Sequence, residues 1–318
     1  MSRYVVGVDL GGTHLRAALV DDTGTIIGQL KRRTMADEGP ERVFENLADA
    51  IIAVSAEMPR KTLLGVGVAA PGPVDTEAGV VHAPPNLPGW GIVPLAEILS
   101  RRTGLPIRVG NDANLAAVGE HTFGAGVGLS NLIYLTISTG IGGGVIADNR
   151  LLLGQRGLAA ELGHILIVPH GPICSCGLRG HLEALAAGPA IAEHMAGLLR
   201  AGLTSSVQPV NGQISAIEIV KAAQEGDSLA CQVIGEAGTF IGRGIASMVH
   251  CFAPQRIVIG GGVSNAGDLL LKPIQQSAYS RVMPAYRDTF DIVLTALGDD
   301  VGLLGAAGLA LSAFGQRM

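Results

Sequence analysis

Charge is sparse in this chain of 318 residues: 15% of side chains are Asp, Glu, Lys or Arg, and their sum is −5. A nucleic-acid partner would ordinarily leave a basic domain or stripe. The Lys and Arg residues here are scattered, which excludes that class. Long hydrophobic runs are missing as well. Gly, Pro or a charge interrupts every apolar stretch before it reaches the roughly 18 residues a spanning helix needs, so no membrane segment is expected. The apolar start Tyr4 to Val8 ends at Asp9 with no cleavage-type segment behind it, and a cytoplasmic protein is expected. Only four Cys are present, too few for a disulfide scaffold in a chain of this size. Aromatics are scarce at 3%, yet 48% of residues are hydrophobic, which supplies a sizeable core and excludes a disordered chain.

Glycine is what the chain has in excess. Its 46 Gly residues are about twice the average share of roughly 7%, without low complexity or a collagen period. Many backbone positions must therefore need positive φ or close approach to a ligand. Their placement follows a pattern. Apolar strand Arg3 to Asp9 stops at Gly11-Gly12, strand Leu15 to Val20 stops at Asp21-Asp22-Thr23-Gly24, and a third strand runs from Thr25 to Leu30. A helix with Phe44, Leu47, Ala48, Ile51 and Ile52 on one face, a strand Leu63 to Ala70 and a strand Ile107 to Gly110 follow, the last opening into a helix at Asp112. At Asn131 the unit restarts: strand Leu132 to Ile137, turn Ser138-Thr139-Gly140, strand Ile141 to Ala147, polar turn Asp148-Asn149, short strand from Leu151. A long helix through Val233, Phe240 and Phe252 leads to strand Ile257 to Ile259 and the triplet Gly260-Gly261-Gly262. A last helix follows the acidic cap Asp299-Asp300. The expectation is an α/β protein of two domains built from duplicated strand-turn-strand units, meeting at a hinge near Ala125 to Ser130. The small residues Gly302, Gly305 and Gly308 are expected to pack between the two lobes.

Three glycine turns at strand ends suit phosphate, because converging backbone N–H groups bind anions and the missing Cβ admits the oxygens. Any one of them also reads as a tight turn the fold requires. Thr13 and Thr139 add hydroxyls. Asp9 beside such a turn would repel phosphate unless a cation lies between, and the Mg²⁺ carried by ATP would supply one. Asp112, at the end of a strand and the start of a helix, suits a general base for a hydroxyl, and equally suits a helix N-cap. Glu161, His164 and Glu183 form a further polar group, and a pair of carboxylates can fix two adjacent hydroxyls. His164, Cys174, Cys176 and His181 lie within 18 residues of Pro- and Gly-rich loop, a donor set for tetrahedral zinc. Trp90, in the loop Pro85-Asn86-Leu87-Pro88-Gly89-Trp90, reads either as a ligand contact or as a hydrophobic plug.

Asp9-Leu10-Gly11-Gly12-Thr13, the duplicated units and Asn111-Asp112-Ala113-Asn114 together resemble the ROK family of sugar kinases and repressors over nearly the whole chain. The resemblance implies a two-domain actin-like ATPase (ribonuclease H-like) fold: a sugar and phosphate lobe over 1–125, completed by the C-terminal helix 301–318, and a lobe over 126–300 with a zinc loop and nucleotide contacts. It implies that Asp9, Gly11, Gly12, Thr13, Thr139, Gly140, Gly260, Gly261 and Gly262 serve ATP, and that Gly72, Asn86, Asn111, Asp112, Glu161, His164 and Glu183 serve the sugar, with Asp112 as general base. It implies a structural Zn²⁺ on His164, Cys174, Cys176 and His181; the family pattern Cys-x-Cys-Gly-x-x-Gly-Cys has Cys where His181 stands. The implied activity is ATP-dependent phosphorylation of a hexose 6-hydroxyl, with closure of the lobes excluding water. Glucose is the expected sugar, because the Pro85 to Trp90 loop and the stretch Leu297 to Ala307 resemble bacterial glucokinases. An N-acetylglucosamine or N-acetylmannosamine kinase shares the motifs. A sugar-responsive regulator is the reading from another class, disfavoured by an acidic chain and by a phosphate-turn Asp as early as residue 9. Family members are commonly dimers or tetramers, so a homo-oligomer is expected.

Overall fold

The first apolar run becomes a strand buried on both faces. In the computed structural model, which describes residues 3–59 and 62–315, β1 (Tyr4–Leu10) places Val5, Val6 and Val8 out of contact with solvent, as a central strand covered by helices on each side must. It pairs antiparallel with β2 (His14–Asp21), which pairs antiparallel with β3 (Ile26–Arg33). After α1 (Pro40–Ser55), β4 (Leu63–Ala70) returns parallel to β1. A small sheet of β5 (Val74–Asp75), β6 (Val80–His82) and β7 (Ile92–Val93) and the helix α2 (Leu95–Thr103) come next. Strand β8 (Ile107–Asn111) then lies parallel to β4 and runs into α3 (Asp112–Phe123). The sheet order is β3-β2-β1-β4-β8.

The second copy repeats this wiring. Strands β9 (Leu132–Ile137), β10 (Ile141–Ala147) and β11 (Arg150–Leu151) form the meander. The helices α4 (Glu183–Ala186), α5 (Gly188–Arg200), α6 (Ala216–Gln224) and α7 (Ser228–Phe252) follow, then β12 (Arg256–Gly260), α8 (Asp268–Tyr279) and β13 (Asp291–Leu294). The order is β11-β10-β9-β12-β13, the same third-second-first-fourth-fifth arrangement, with β12 parallel to β9 and β13. This is the duplicated α/β arrangement of actin-like ATPases. The chain ends in α9 (Val301–Phe314). Among the described residues no helix is long and apolar enough to cross a membrane.

Two compact units result, one of Met1–Gly128, Leu151–Ala160 and Ala296–Met318, the other of Leu129–Arg150 and Glu161–Thr295. The 151–160 segment thus belongs with the first unit, although its sequence position suggested the second. The small residues of the last helix also differ from expectation. Helix α9 lies in the first unit against β1, β4 and α3, and its small residues serve that packing: a Cβ on Gly305 would overlap the Leu115 carbonyl, and one on Gly67 would overlap the carbonyl of Ala306. Backbone meets backbone at these points, so only glycine fits. Replacing Gly67 with Ala is therefore expected to lower stability by about 1–3 kcal/mol, the usual cost of overpacking. Chemical denaturation will read this as a shifted midpoint, against an unshifted Gly28→Ala control, where nothing lies within 4 Å of the added methyl.

Candidate active site

The hairpin between β1 and β2 turns through Gly11, Gly12 and Thr13. Its base is closed by the Gly11 amide donating to the His14 carbonyl at 3.0 Å. The Thr34 hydroxyl and amide hold its outer side, donating to the carbonyls of Gly11 at 2.6 Å and Thr13 at 2.9 Å. A Cβ on Gly12 would lie 2.7 Å from the Asn86 carbonyl, so the Pro-rich loop rests on the turn. Trp90 lies beneath that loop, 6% exposed, with its ring edge-on to Phe44 at 5.2 Å; the only Trp is a hydrophobic plug.

Asp9 has its cation within the protein. The hairpin register sets Arg16 opposite Asp9, and Arg16 donates from Nε and Nη2 to Asp9 Oδ2 at 3.3 and 2.7 Å. The same guanidinium donates to Asp300 Oδ1 at 3.2 Å and to the Asp299 carbonyl. This corrects two expectations. The charge of Asp9 does not wait on a metal, and Asp300, though it stands at the N-cap of α9, makes no side-chain capping bond.

At the start of α3 the capping role falls to Asn111, whose Oδ1 accepts from the Asn114 amide at 3.1 Å. Asp112 is one residue further on, free of that duty, with Oδ1 accepting from the Ala113 amide at 2.8 Å and from Asn111 Nδ2 at 3.0 Å. A Cβ on Gly72, which precedes the cis Gly72–Pro73 bond, would reach 2.8 Å from Asn111 Nδ2. Asp112 is accessible to solvent yet densely surrounded by protein. That desolvation, reinforced by the negative charge of Asp9 and opposed by its hydrogen bonds, pushes the carboxyl up to about 6. A carboxylate tuned toward neutral pH is what general-base work calls for.

In the second unit the β9–β10 turn, Ser138 to Gly140, edges a cavity of about 650 Å³. Its walls are Thr139, the α5 start at Gly188 and Pro189, the Gly212 to Ile217 segment and Gly262. Gly260 and Gly261 do not line it. Gly260 packs on the Tyr134 ring, and Gly261, at φ 85°, lies against the backbone of Ile137. Gly262 has open space where its Cβ would be. Glu183, first residue of α4, reaches back to this turn: Oε2 accepts from the Ile141 amide at 3.0 Å, and Oε1 accepts from the Ser175 hydroxyl at 2.5 Å. These bonds, with His164 nearby, outweigh its burial and hold the Glu183 carboxyl below its usual value.

The loop of Cys and His residues folds on itself. Ligand atoms of His164, Cys174, Cys176 and His181 lie within 4.8 Å of one another. Cys174 Sγ is 3.5 Å from His164 Nδ1, and Cys176 Sγ is 3.3 Å from His181 Nδ1. Bond lengths of 2.3 Å to sulfur and 2.1 Å to nitrogen put tetrahedral zinc ligands about 3.6 Å apart, close to these two Cys–His separations. Both imidazoles use Nδ1 here, which leaves each Nε2 for other work. Glu161 precedes the 3₁₀ turn Leu162–His164 and is exposed.

A model of the ROK family matches residues 5–313 of the chain. The chain belongs to the ROK family. It is similar to a glucokinase of Thermotoga maritima, 38% identical over 310 residues that make up 96% of each protein. The crystal structure of a ROK family glucokinase from Streptomyces griseus in complex with glucose and AMPPNP superposes with a TM-score of 0.81 at 35% identity, covering 97% of this chain and 99% of that one. A xylose repressor of Caldicellulosiruptor bescii is 32% identical over 313 residues, 97% of this chain and 78% of its own length.

Sequence reasoning on this ROK protein missed Arg16, although a turn over residues 11–13 already sets position 16 across from 9. It also missed the cavity walls at Gly188 and Gly212 to Ile217; the Ser215 and Glu218 capping box that starts α6 was their one local signal. The Asp112 carboxyl is expected to titrate near pH 6. Carbon-13 NMR of labelled Asp side chains should show one such midpoint, absent in Asp112→Asn; no carboxyl titrating above pH 5 would contradict it.

Proposed function

We propose that this ROK protein transfers the γ-phosphate of ATP to the 6-hydroxyl of glucose, with Asp112 as general base. The observation that carries the reading is the Asp112 carboxyl, relieved of capping by Asn111 and raised to about 6. As the sugar oxygen bonds to the γ-phosphorus, the bond from that phosphorus to the bridging oxygen breaks, ADP leaves, and the hydroxyl proton passes to Asp112. Little other covalent chemistry is needed, so the remaining residues align and neutralise. In the first unit we assign Gly72, Asn86 and Asn111 to sugar hydroxyls and the Gly11, Gly12 and Thr13 turn to phosphate. In the second, Glu161, His164 through Nε2, and Glu183 take sugar hydroxyls, while Thr139, Gly140 and the Gly260 to Gly262 segment border the nucleotide, its base in the 650 Å³ cavity. Mg²⁺ brought with ATP would neutralise phosphate charge. Asp9 is the side chain assigned to it, since both Arg16 bonds fall on Oδ2 and leave Oδ1.

Structural zinc on His164, Cys174, Cys176 and His181 belongs to the same reading, with His181 replacing the usual Cys. It would hold a loop with little core of its own and fix the His164 ring. A cytoplasmic setting suits thiols that must stay reduced to bind a metal, and a homo-oligomer accords with the family.

Asp112→Asn is expected to lower kcat for glucose about 10²- to 10⁴-fold with glucose binding retained in calorimetry. In the unmodified enzyme the base must be ionised, so kcat should fall as pH drops through about 6. A coupled assay over glucose, mannose, fructose and the N-acetylhexosamines should give glucose the highest kcat/KM. Sugar binding without ADP production would instead mark a sensor. For the metal, analysis of natively purified protein is expected to give about one zinc per chain. Cys174→Ser should lose it and melt at lower temperature, and His181→Cys should retain it; a zinc-free native protein would remove the assignment.

A further inference from the structure

The chain passes between its two units at four places, after Gly128, Arg150, Ala160 and Thr295. Within the first unit, the segments that lead to the first and the last of these converge on one side chain, Glu120 in the final turn of α3. Glu120 is completely buried. Its Oε2 accepts from the Ala125 amide at 2.7 Å, and its Oε1 accepts from the amides of Ala296 at 3.1 Å and Leu297 at 3.3 Å. Its main-chain carbonyl accepts from Gly124 at 3.1 Å and Gly126 at 2.8 Å. Gly124 is confined between the two partners, since a Cβ there would overlap the Glu120 carboxylate and come 2.9 Å from Leu297. Two segments, the second 176 residues away in sequence, are thus bound to a single residue.

The choice of a carboxylate is chemically specific. The C-terminal end of a helix carries the negative end of its dipole, so a buried carboxylate is disfavoured there. What offsets that cost is acceptor capacity on both oxygens at once, aimed at amides from two directions. Glutamine has one acceptor oxygen, and an apolar residue has none. The position also matters for the reaction. From Leu297 the chain runs to Asp299 and Asp300, which hold Arg16 and through it Asp9, while Asp112 stands at the other end of the same helix, α3.

We propose that Glu120 is a positioning residue for phosphoryl transfer: it clasps the segments approaching the crossings at Gly128 and Thr295 to the helix that carries Asp112. Movement at those crossings when sugar binds is thereby delivered to the base instead of being absorbed by loose connections. The inference rests on the sugar-kinase reading above.

Glu120→Gln tests it, because the new amide presents a donor to one of the two sets of donors and releases that segment. Glucose-dependent kcat is expected to fall tenfold or more, and the decrease in radius of gyration on adding glucose, read by small-angle scattering, to shrink or vanish. AMPPNP affinity without sugar should change by less than kcat does, since the cavity assigned to its base lies wholly in the other unit. A variant that melts lower yet keeps kcat and the scattering change of the unmodified enzyme would overturn the proposal by leaving Glu120 a purely structural role. Hydrogen exchange on the unmodified protein gives a test that no variant's folding can obscure: the amides of Ala125, Ala296 and Leu297 should exchange slowly with and without glucose. Exchange at unprotected rates would overturn the clasp. No phosphorylation of any sugar by the unmodified protein would overturn the kinase reading instead, with the exchange result then deciding the clasp by itself.

Discussion

One ion pair sits where the demands on this protein conflict. A turn proposed to hold phosphate must attract anions, yet the strand that ends in it carries Asp9, and Asp112 raises the local negative charge further. Arg16 resolves the conflict by binding Asp9, Asp300 and the Asp299 carbonyl together. The planar guanidinium, with donors fixed in direction, reaches all three acceptors at once, which a lysine's single ammonium could not do. Through them the end of β1, the strand β2 and the start of α9 become one assembly. The same pair bears on the proposed base. Desolvation, with the charge of Asp9 added to it, holds the Asp112 carboxyl up to about 6.

Duplication gave the chain two strand-turn-strand units with one wiring and different work. In the first, backbone contacts between α9, β4 and α3 leave no room for Cβ atoms at Gly67 or Gly305, so the unit that carries Asp112 is tightly packed around α9. In the second, the space beside the β9–β10 turn stays open as a cavity, and the polar groups collect on a loop of Cys and His residues. Close packing fixes the surroundings of Asp112 in the first unit, while the second keeps a cavity of about 650 Å³ open.

Much of this was legible residue by residue. The glycine turns, both meanders and the start of α3 follow from alternation and turn chemistry, because these are local effects with periods of two or of 3.6. Arg16 is equally legible through hairpin register, which sets it opposite Asp9. Other features were beyond local reading. Whether Asn111 or Asp112 caps α3 depends on a one-residue difference in where the helix begins. The role of Gly302, Gly305 and Gly308 depends on which unit α9 joins, and the 151–160 segment joins a unit its sequence position does not suggest. The room around Gly260 and Gly261 is set by Tyr134 and Ile137, neighbours across the sheet.

The sequence by itself determined the repeated strand-turn-strand units, the four zinc-type donors and the candidate base, since each is a pattern of residue type at short spacing. Tertiary structure decided the charges and the connections. A carboxyl takes its proton affinity from everything packed around it, and Asp112 owes its value to desolvation and to Asp9. Glu120 is one more acidic residue in a helical stretch until the fold brings an amide from five residues away and two from across the chain onto its oxygens. Hydrogen bonds and solvation act through space, and only the folded chain sets those distances.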